Sequence, residues 1–477
     1  MAEELWRRSA RDVVALLGAR EISPSELVEI ALSRIEAVDG AVNAVPTRCP
    51  ERALAHARQI ESAGPPEMPG PGYLHGLPIV VKDLTDVAGV RTTRGSPIFA
   101  DRVPERSDIL VERLEANGAI VVGKSNTPEF GAGAQTFNEV FGATRNPWNT
   151  AKTCGGSSGG AAVALATGEA WLATGNDLGG SLRIPGSFCS VIGLRTSPGR
   201  VARGPAPNPF ERLGNDGPMA RDVRDAALML DAQTGENGLD PLSLPAPAVS
   251  FQEAVERLAS PARIAWSPDL GIAPVEPEVR DICATAATWF ENLGATLEPA
   301  CPDLSEAREA FQVLRAHAYV LAREELLQHH RDKLKPEVVW NIEKGLGQDG
   351  PTVARAERAR GVLYHRVADF FQTYDLLCCP AVMAPPFDIE TRYLETVAGV
   401  AFDNYVDWMM LTYAITLTEC PALSIPCGFT AAGLPVGLQL VAPHRGEAAL
   451  LAAAARFEDG HDFAAMVPID PRPPTGA

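Results

Sequence analysis

Thr153 to Pro185 reads T-C-G-G-S-S-G-G-A-A-V-A-L-A-T-G-E-A-W-L-A-T-G-N-D-L-G-G-S-L-R-I-P. Two glycine-rich turns, three serines and one arginine are packed around a run of small residues. The glycines about Ser157 and Ser158 permit a tight turn. The A-A-V-A-L-A run then starts a helix whose free N–H groups point back at that turn. Ala170 to Thr174 reads as a buried strand, and Asp177-Leu178-Gly179-Gly180-Ser181 as a second turn whose successive N–H groups can converge on an oxyanion. Three readings compete. A phosphate-binding loop needs a lysine and a Ser or Thr after its glycines, and Ala161 stands there instead. A G-x-S-x-G elbow centred on Ser157 or Ser158 would imply a Ser-His-Asp esterase. Glycine loops that only hold close-packed elements would explain either turn alone, but two loops flanking serines favour chemistry.

Further upstream stands Gly76-Leu77-Pro78-Ile79-Val80-Val81-Lys82-Asp83. Taken with Gly155 to Gly160 and Gly175 to Pro185, this order of blocks resembles the amidase signature family of serine hydrolases. The resemblance runs from about Ser23 to about Phe457, and it is closer to bacterial amidases than to the glutaminase chain of glutamyl-tRNA(Gln) amidotransferase. It implies Ser181 as nucleophile, Ser157 as a bridging serine on a cis peptide, and Lys82 as base. It also implies that Gly131-Ala132-Gly133 lies against the acyl part of the substrate.

Elementary chemistry agrees with those roles. Amide hydrolysis needs an activated nucleophile, donors for a tetrahedral oxyanion, and a proton for the leaving amine. Ser181 supplies the first, and the N–H groups of Leu178, Gly179, Gly180 and Ser181 supply the second. Lys82 supplies the third if burial behind Ile79-Val80-Val81 keeps it neutral at rest. Its alternative is a strand-end lysine paired with Asp83 or Asp86. Ser158, Asp177 and Arg183 are expected to support the turn, the last two as a buried ion pair. The chain departs from the family pattern at Cys154, Asn176 and Thr196, and these departures are expected to leave Lys82 and the serines untouched.

The rest of the chain predicts an α/β fold, a large mixed sheet covered by helices on both faces. One domain is expected over 1–470, with its catalytic core at about 75–200, and a Pro-rich tail from Pro468 that leaves 471–477 disordered. Ser23, Pro24 and Glu26 form a capping box ahead of a helix whose inner face carries Val28, Ala31, Leu32, Ile35 and Val38. Ser107 is expected to cap a helix before the parallel strand at Ala119 to Val122. Phe130, Phe137 and Phe141 are candidates for a pocket lining or for plain core. Residues 198–218 are expected to form a pocket rim, and Ala220 to Leu230 a helix. A long helical region from Leu304 to Tyr374 holds His317, His329, His330 and His365, which with His444 are the histidines open to the esterase reading.

Composition bounds the function class. The hydrophobic share of 46% and charged share of 21% are those of an ordinary globular chain. A formal charge of −18 argues against a broad nucleic-acid surface. No apolar run is long enough to span a membrane, and the start M-A-E-E-L-W-R-R has no signal-peptide core, so a cytoplasmic protein with free thiols is expected. No His-Glu-x-x-His or paired Cys-x-x-Cys occurs, so no metal or other cofactor is expected. The partner is then a small-molecule amide, bound by a monomer or homodimer.

Overall fold

A computed structural model describes residues 2–474 of the 477-residue chain. Its centre is an eleven-stranded mixed sheet. In one half, Pro78–Lys82 runs parallel to Ile120–Ser125 on one side and to Leu172–Asp177 on the other, and Asn215–Ala220 follows antiparallel. Ile192–Arg195 then joins this half to Ala422–Phe429, Pro435–Val441 and Leu376–Pro380, all by antiparallel pairing. Arg263–Trp266 and Thr296–Pro299 finish the far edge in parallel.

All five residues of Pro78–Lys82 are buried, as a strand covered on both faces requires. Ile79 and Val81 enter the large core beneath helices Ile109–Ala116 and Val223–Gln233, while Val80 enters a second core with Pro24–Val42 and Gly159–Thr167. Side chains alternate along a strand, so Lys82 shares the face of Val80. That face looks toward the helix that begins just after Ser158. Two cores thus fix which way the lysine points.

The capping box is formed as expected, with Ser23 accepting from the Glu26 N–H and Glu26 reaching back. Leu32 is only partly buried on that helix. Several boundaries move. Asp108, not Ser107, is the N-cap of Ile109–Ala116, and Ser107 Oγ instead accepts from the Ala88 N–H at 3.0 Å. The buried strand after the small-residue helix is Leu172–Asp177 rather than Ala170 to Thr174, and the helix expected at Ala220 begins at Val223. Asn215–Ala220 is a strand where a loop was expected, because its glycine and proline occlude its β pattern. The tail is ordered beyond Pro468: Ile469 N–H donates to Ala166 O at 2.8 Å, Arg472 N–H to Pro147 O at 2.9 Å, and Asp470 pairs with Arg34 at 2.8 Å. Residues 475–477 lie outside the described residues. Among the described residues no helix is long and apolar enough to cross a membrane.

Candidate active site

Lys82 Nζ is buried and has three polar neighbours: Ser157 Oγ at 2.8 Å, Ser158 Oγ at 2.8 Å and Asn176 Oδ1 at 2.7 Å. Burial lowers its pKa to about 7, against the pull of Asp177 and Asp216, which raise it. Asp83, expected as a possible partner, faces away and pairs with Lys124 at 3.6 Å, while Asp86 pairs with Arg102 at 2.6 Å. Desolvation therefore acts on Lys82 with no adjacent carboxylate to offset it.

Two of these contacts differ from expectation. Ser158, placed by the sequence among supporting groups away from the lysine, touches Nζ as closely as Ser157 does. Asn176, a departure from the family pattern expected to leave the lysine untouched, is its shortest polar contact. Asn176 closes Leu172–Asp177, next to the strand of Lys82, and that pairing delivers its side chain there. Cys154 packs in the second core, and Thr196 Oγ1 donates to Asp216 O at 2.8 Å.

The two glycine turns are tied together by Ser158 N–H, which donates to Ser181 O at 3.1 Å. The peptide between Gly156 and Ser157 is cis. Around Ser181, Asp177 organises the turn. Its Oδ1 accepts from Gly180 N–H at 2.8 Å and from Arg183 Nη2 at 2.9 Å, and its Oδ2 accepts from Leu182 N–H at 3.2 Å and Arg183 Nε at 3.0 Å. Burial alone would raise the Asp177 pKa; Arg183, Arg195 and the Gly180 N–H outweigh it and hold the carboxyl below the usual range. Gly180 N–H is thus turned to Asp177 rather than outward, which removes it from the four expected oxyanion donors. The N–H groups of Leu178, Gly179 and Ser181 have no acceptor among the described residues. Gly180 has φ +124°, and a methyl group there would collide with Thr412 Oγ1.

Arg183 in turn is held by groups far away in sequence. Its Nη1 donates to Thr412 O at 2.8 Å and Gln439 Oε1 at 2.6 Å, and its Nη2 to Thr416 Oγ1 at 3.1 Å. Arg195 donates to the Asp177 carbonyl. None of these partners was visible in the sequence, since no local pattern marks them.

Ser157, Asn176, Leu178, Gly179 and Ser181 open on one cavity of about 410 Å³. Gly131 and Gly133 line it too, and a Cβ at Gly131, where φ is +74°, would stand 3.2 Å from Ser157 Oγ. Ala132 is buried beside them, its carbonyl accepting from Lys335 Nζ at 3.1 Å. Of the three phenylalanines, Phe130 lines the cavity, while Phe137 lies under Lys335 and Phe141 under Arg91. The expected rim at 198–218 contributes Arg203, Phe210 and Leu213. Among the described residues no histidine hydrogen-bonds to Ser157, Ser158 or Ser181. His317 is exposed in the cavity wall, and His444 Nδ1 lies 3.0 Å from Glu419 O. The basic nitrogen against the serines is that of Lys82.

The family model "Amidase" matches residues 26–451. The chain belongs to the amidase signature family. It is 35% identical to an acylamidase of Rhodococcus erythropolis over 97% of each chain. It is also 35% identical to the glutaminase chain of the glutamyl-tRNA(Gln) amidotransferase of Moorella thermoacetica, over 96% of this chain and 98% of that one. The solved structure of a bacterial aryl acylamidase of the same family superposes with a TM-score of 0.88 at 28% identity, covering 97% of this chain and 99% of that one. The fold class expected from the sequence is thereby shown, and with it an enzyme that hydrolyses amide C–N bonds.

The Asp177–Arg183 pair is fully buried, so removing one partner strands a charge. Arg183→Met is expected to lower the free energy of unfolding in urea by ~3–5 kcal/mol, whereas Arg183→Met with Asp177→Asn recovers part of it. A loss below ~1 kcal/mol for the single variant would contradict this role for the pair.

Proposed function

We propose that this amidase acts through an acyl-enzyme on Ser181, with Lys82 and Ser157 as the proton relay, on a small or medium amide. The observation that carries the reading is the hydrogen-bond arithmetic at Nζ. A neutral amine has two N–H donors and one lone pair. Asn176 Oδ1 can only accept. Ser158 Oγ–H has an acceptor of its own in Asn176 O at 3.3 Å, so its oxygen is free to accept from Nζ. Both N–H groups are then used, and the lone pair is left for the hydroxyl hydrogen of Ser157.

In this mechanism Ser181 Oγ attacks the amide carbon as its proton passes to Ser157 and that of Ser157 passes to Lys82. The oxyanion is met by Leu178, Gly179 and Ser181 N–H, while Gly180 N–H, held by Asp177, keeps the turn open. Lys82 returns the proton through Ser157 to the leaving nitrogen, the C–N bond breaks, and water later releases the acid along the same path. The link between Ser181 and Ser157 closes when substrate arrives, as catalytic contacts of free enzymes commonly tighten then. No cofactor takes part. Gly131, Ala132 and Gly133 bound the acyl part, and the acylamidase relatives support aryl amides as substrates, with carbamates and esters as slower ones.

The glutaminase component of a tRNA-dependent amidotransferase is the second reading, supported by equal identity to one such chain. Activity of the chain purified alone, as monomer or homodimer, favours the free amidase; activity only with partner subunits favours the other.

A fluorophosphonate probe tests the nucleophile. Intact-mass spectra are expected to show one label on the wild type and on Ser158→Ala, mapped to Ser181, and none on Ser181→Ala. Label on Ser157 or Ser158 with Ser181 untouched would overturn the assignment.

The base is tested by pH. Lys82 accepts a proton only when neutral, so kcat/KM is expected to rise with pH and level off above about 7. Lys82→Ala should remove that limb and cost an amide more than its matched ester, because the leaving nitrogen needs the proton more. A limb that survives in Lys82→Ala, or equal losses on both substrates, would contradict the relay. Single replacement of any histidine should leave kcat within about tenfold, ~1.4 kcal/mol.

A further inference from the structure

The helix Ala307–His330 forms part of the wall of the cavity that holds Ser157 and Ser181, and contributes Arg315, Tyr319 and Arg323. These residues recur every four positions, so one helix face presents them together. Five arginines line the cavity. Three have carboxylate partners: Arg203 lies 3.5 Å from Glu211 and 3.6 Å from Asp216, Arg212 lies 3.4 Å from Glu419, and Arg360 lies 2.9 Å from Glu419. Arg315 and Arg323 have none among the described residues. In a chain of net charge −18, where acids are plentiful, composition does not explain that.

The two arginines are held differently. Arg315 spends its donors on neutral groups, Asn341, Tyr405 Oη at 2.6 Å and Tyr319 Oη at 3.4 Å. Arg323 makes no hydrogen bond among the described residues, and its Nε is buried without an acceptor. Its guanidinium lies 5.0 Å from the ring centroid of Phe130 and 4.6 Å from that of Tyr319. Aromatic rings hold a guanidinium by attraction to its charge and accept none of its in-plane N–H donors. The nearby carboxylate of Glu129 is engaged elsewhere, by Ser96 Oγ at 2.6 Å and Lys335 N–H at 2.6 Å. Burial pulls the Arg323 pKa down, so the cation is held at a cost that an anion would offset. Phe130 directly precedes Gly131, whose backbone faces Ser157 Oγ. The unpaired cation therefore stands one aromatic ring away from the wall of the reactive serines.

We propose that the amide substrate carries a carboxylate, and that Arg323 pairs with it, with Arg315 on the same helix face adding its field. A planar fork with free donors suits a carboxylate in two-point contact. This rests on the acyl-enzyme reading and names the substrate class of that site.

Three anilides test it: neutral butyranilide, N-phenylsuccinamic acid with the carboxylate on the acyl part, and 4-(butyrylamino)benzoic acid with it on the amine part. In the wild type at least one acid is expected to exceed butyranilide in kcat/KM by about tenfold, mainly through KM, and the favoured acid tells which end faces Arg323. Arg323→Met should bring that ratio to near unity, Arg323→Lys should keep part of it, and rising salt should reduce it in the wild type. The ratio is internal to each protein, so partial unfolding does not mimic the effect. Should Arg323→Met not fold, the wild-type preference and its salt dependence decide. Butyranilide equal to or better than both acids, or a preference unchanged in Arg323→Met, would overturn the proposal while leaving the amidase reading intact. Turnover of none of the three, with Ser181 unlabelled by the fluorophosphonate, would overturn both.

Discussion

A lysine amine sealed away from water with no carboxylate in contact is the constraint on which the site depends. Removing an ammonium from water costs several kcal/mol unless a counter-charge or a proton loss relieves it. Here Asp83 and Asp86 turn to Lys124 and Arg102, so proton loss is the relief available to Lys82. The sheet enforces this. Pro78–Lys82 is covered on both faces, and the alternation that sends Ile79 and Val81 to one core sends Val80 and Lys82 toward the other. Asn176, Ser158 and Ser157 then provide neutral polar contacts, which satisfy the amine without re-stabilising its charge as a carboxylate would.

A second charge, that of Asp177, is handled in the opposite way. It is buried beside two arginines and kept ionised, and it uses that charge to aim backbone N–H groups. Its lock, Arg183, is fastened to Thr412, Thr416 and Gln439. The C-terminal half of the chain therefore sets the geometry of a turn in the first half. One buried group loses its charge and serves as base; the other keeps its charge and serves as scaffold. The difference lies in what each was packed against.

Much of this was legible in the sequence. Glycine turns flanking serines, the apolar run before Lys82 and the capping box at Ser23 are local signals, and local signals survive folding. What stayed hidden depends on contacts between distant segments. Asn176 read as a neutral departure because nothing in a linear pattern shows that its strand lies beside that of Lys82. Gly180 read as an oxyanion donor because its neighbour Asp177 could not be seen to fold back on it. Asn215–Ala220 was hidden by a glycine and a proline at positions where antiparallel pairing tolerates them. Arg315 and Arg323 carry no local mark at all, since the absence of a partner shows only once the surrounding acids have been placed.

The central claim is that Lys82 is neutral at neutral pH, and the most direct measurement is its titration. The lysines of the chain are Lys82, Lys124, Lys152, Lys333, Lys335 and Lys344, few enough for NMR of protein labelled with 13C at lysine Cε, with the Lys82 signal assigned by its loss in Lys82→Met. The account predicts a Cε shift that titrates with a midpoint at about 7. A midpoint near the ordinary lysine value of ~10.4 would mean a charged amine at rest, and would contradict the account.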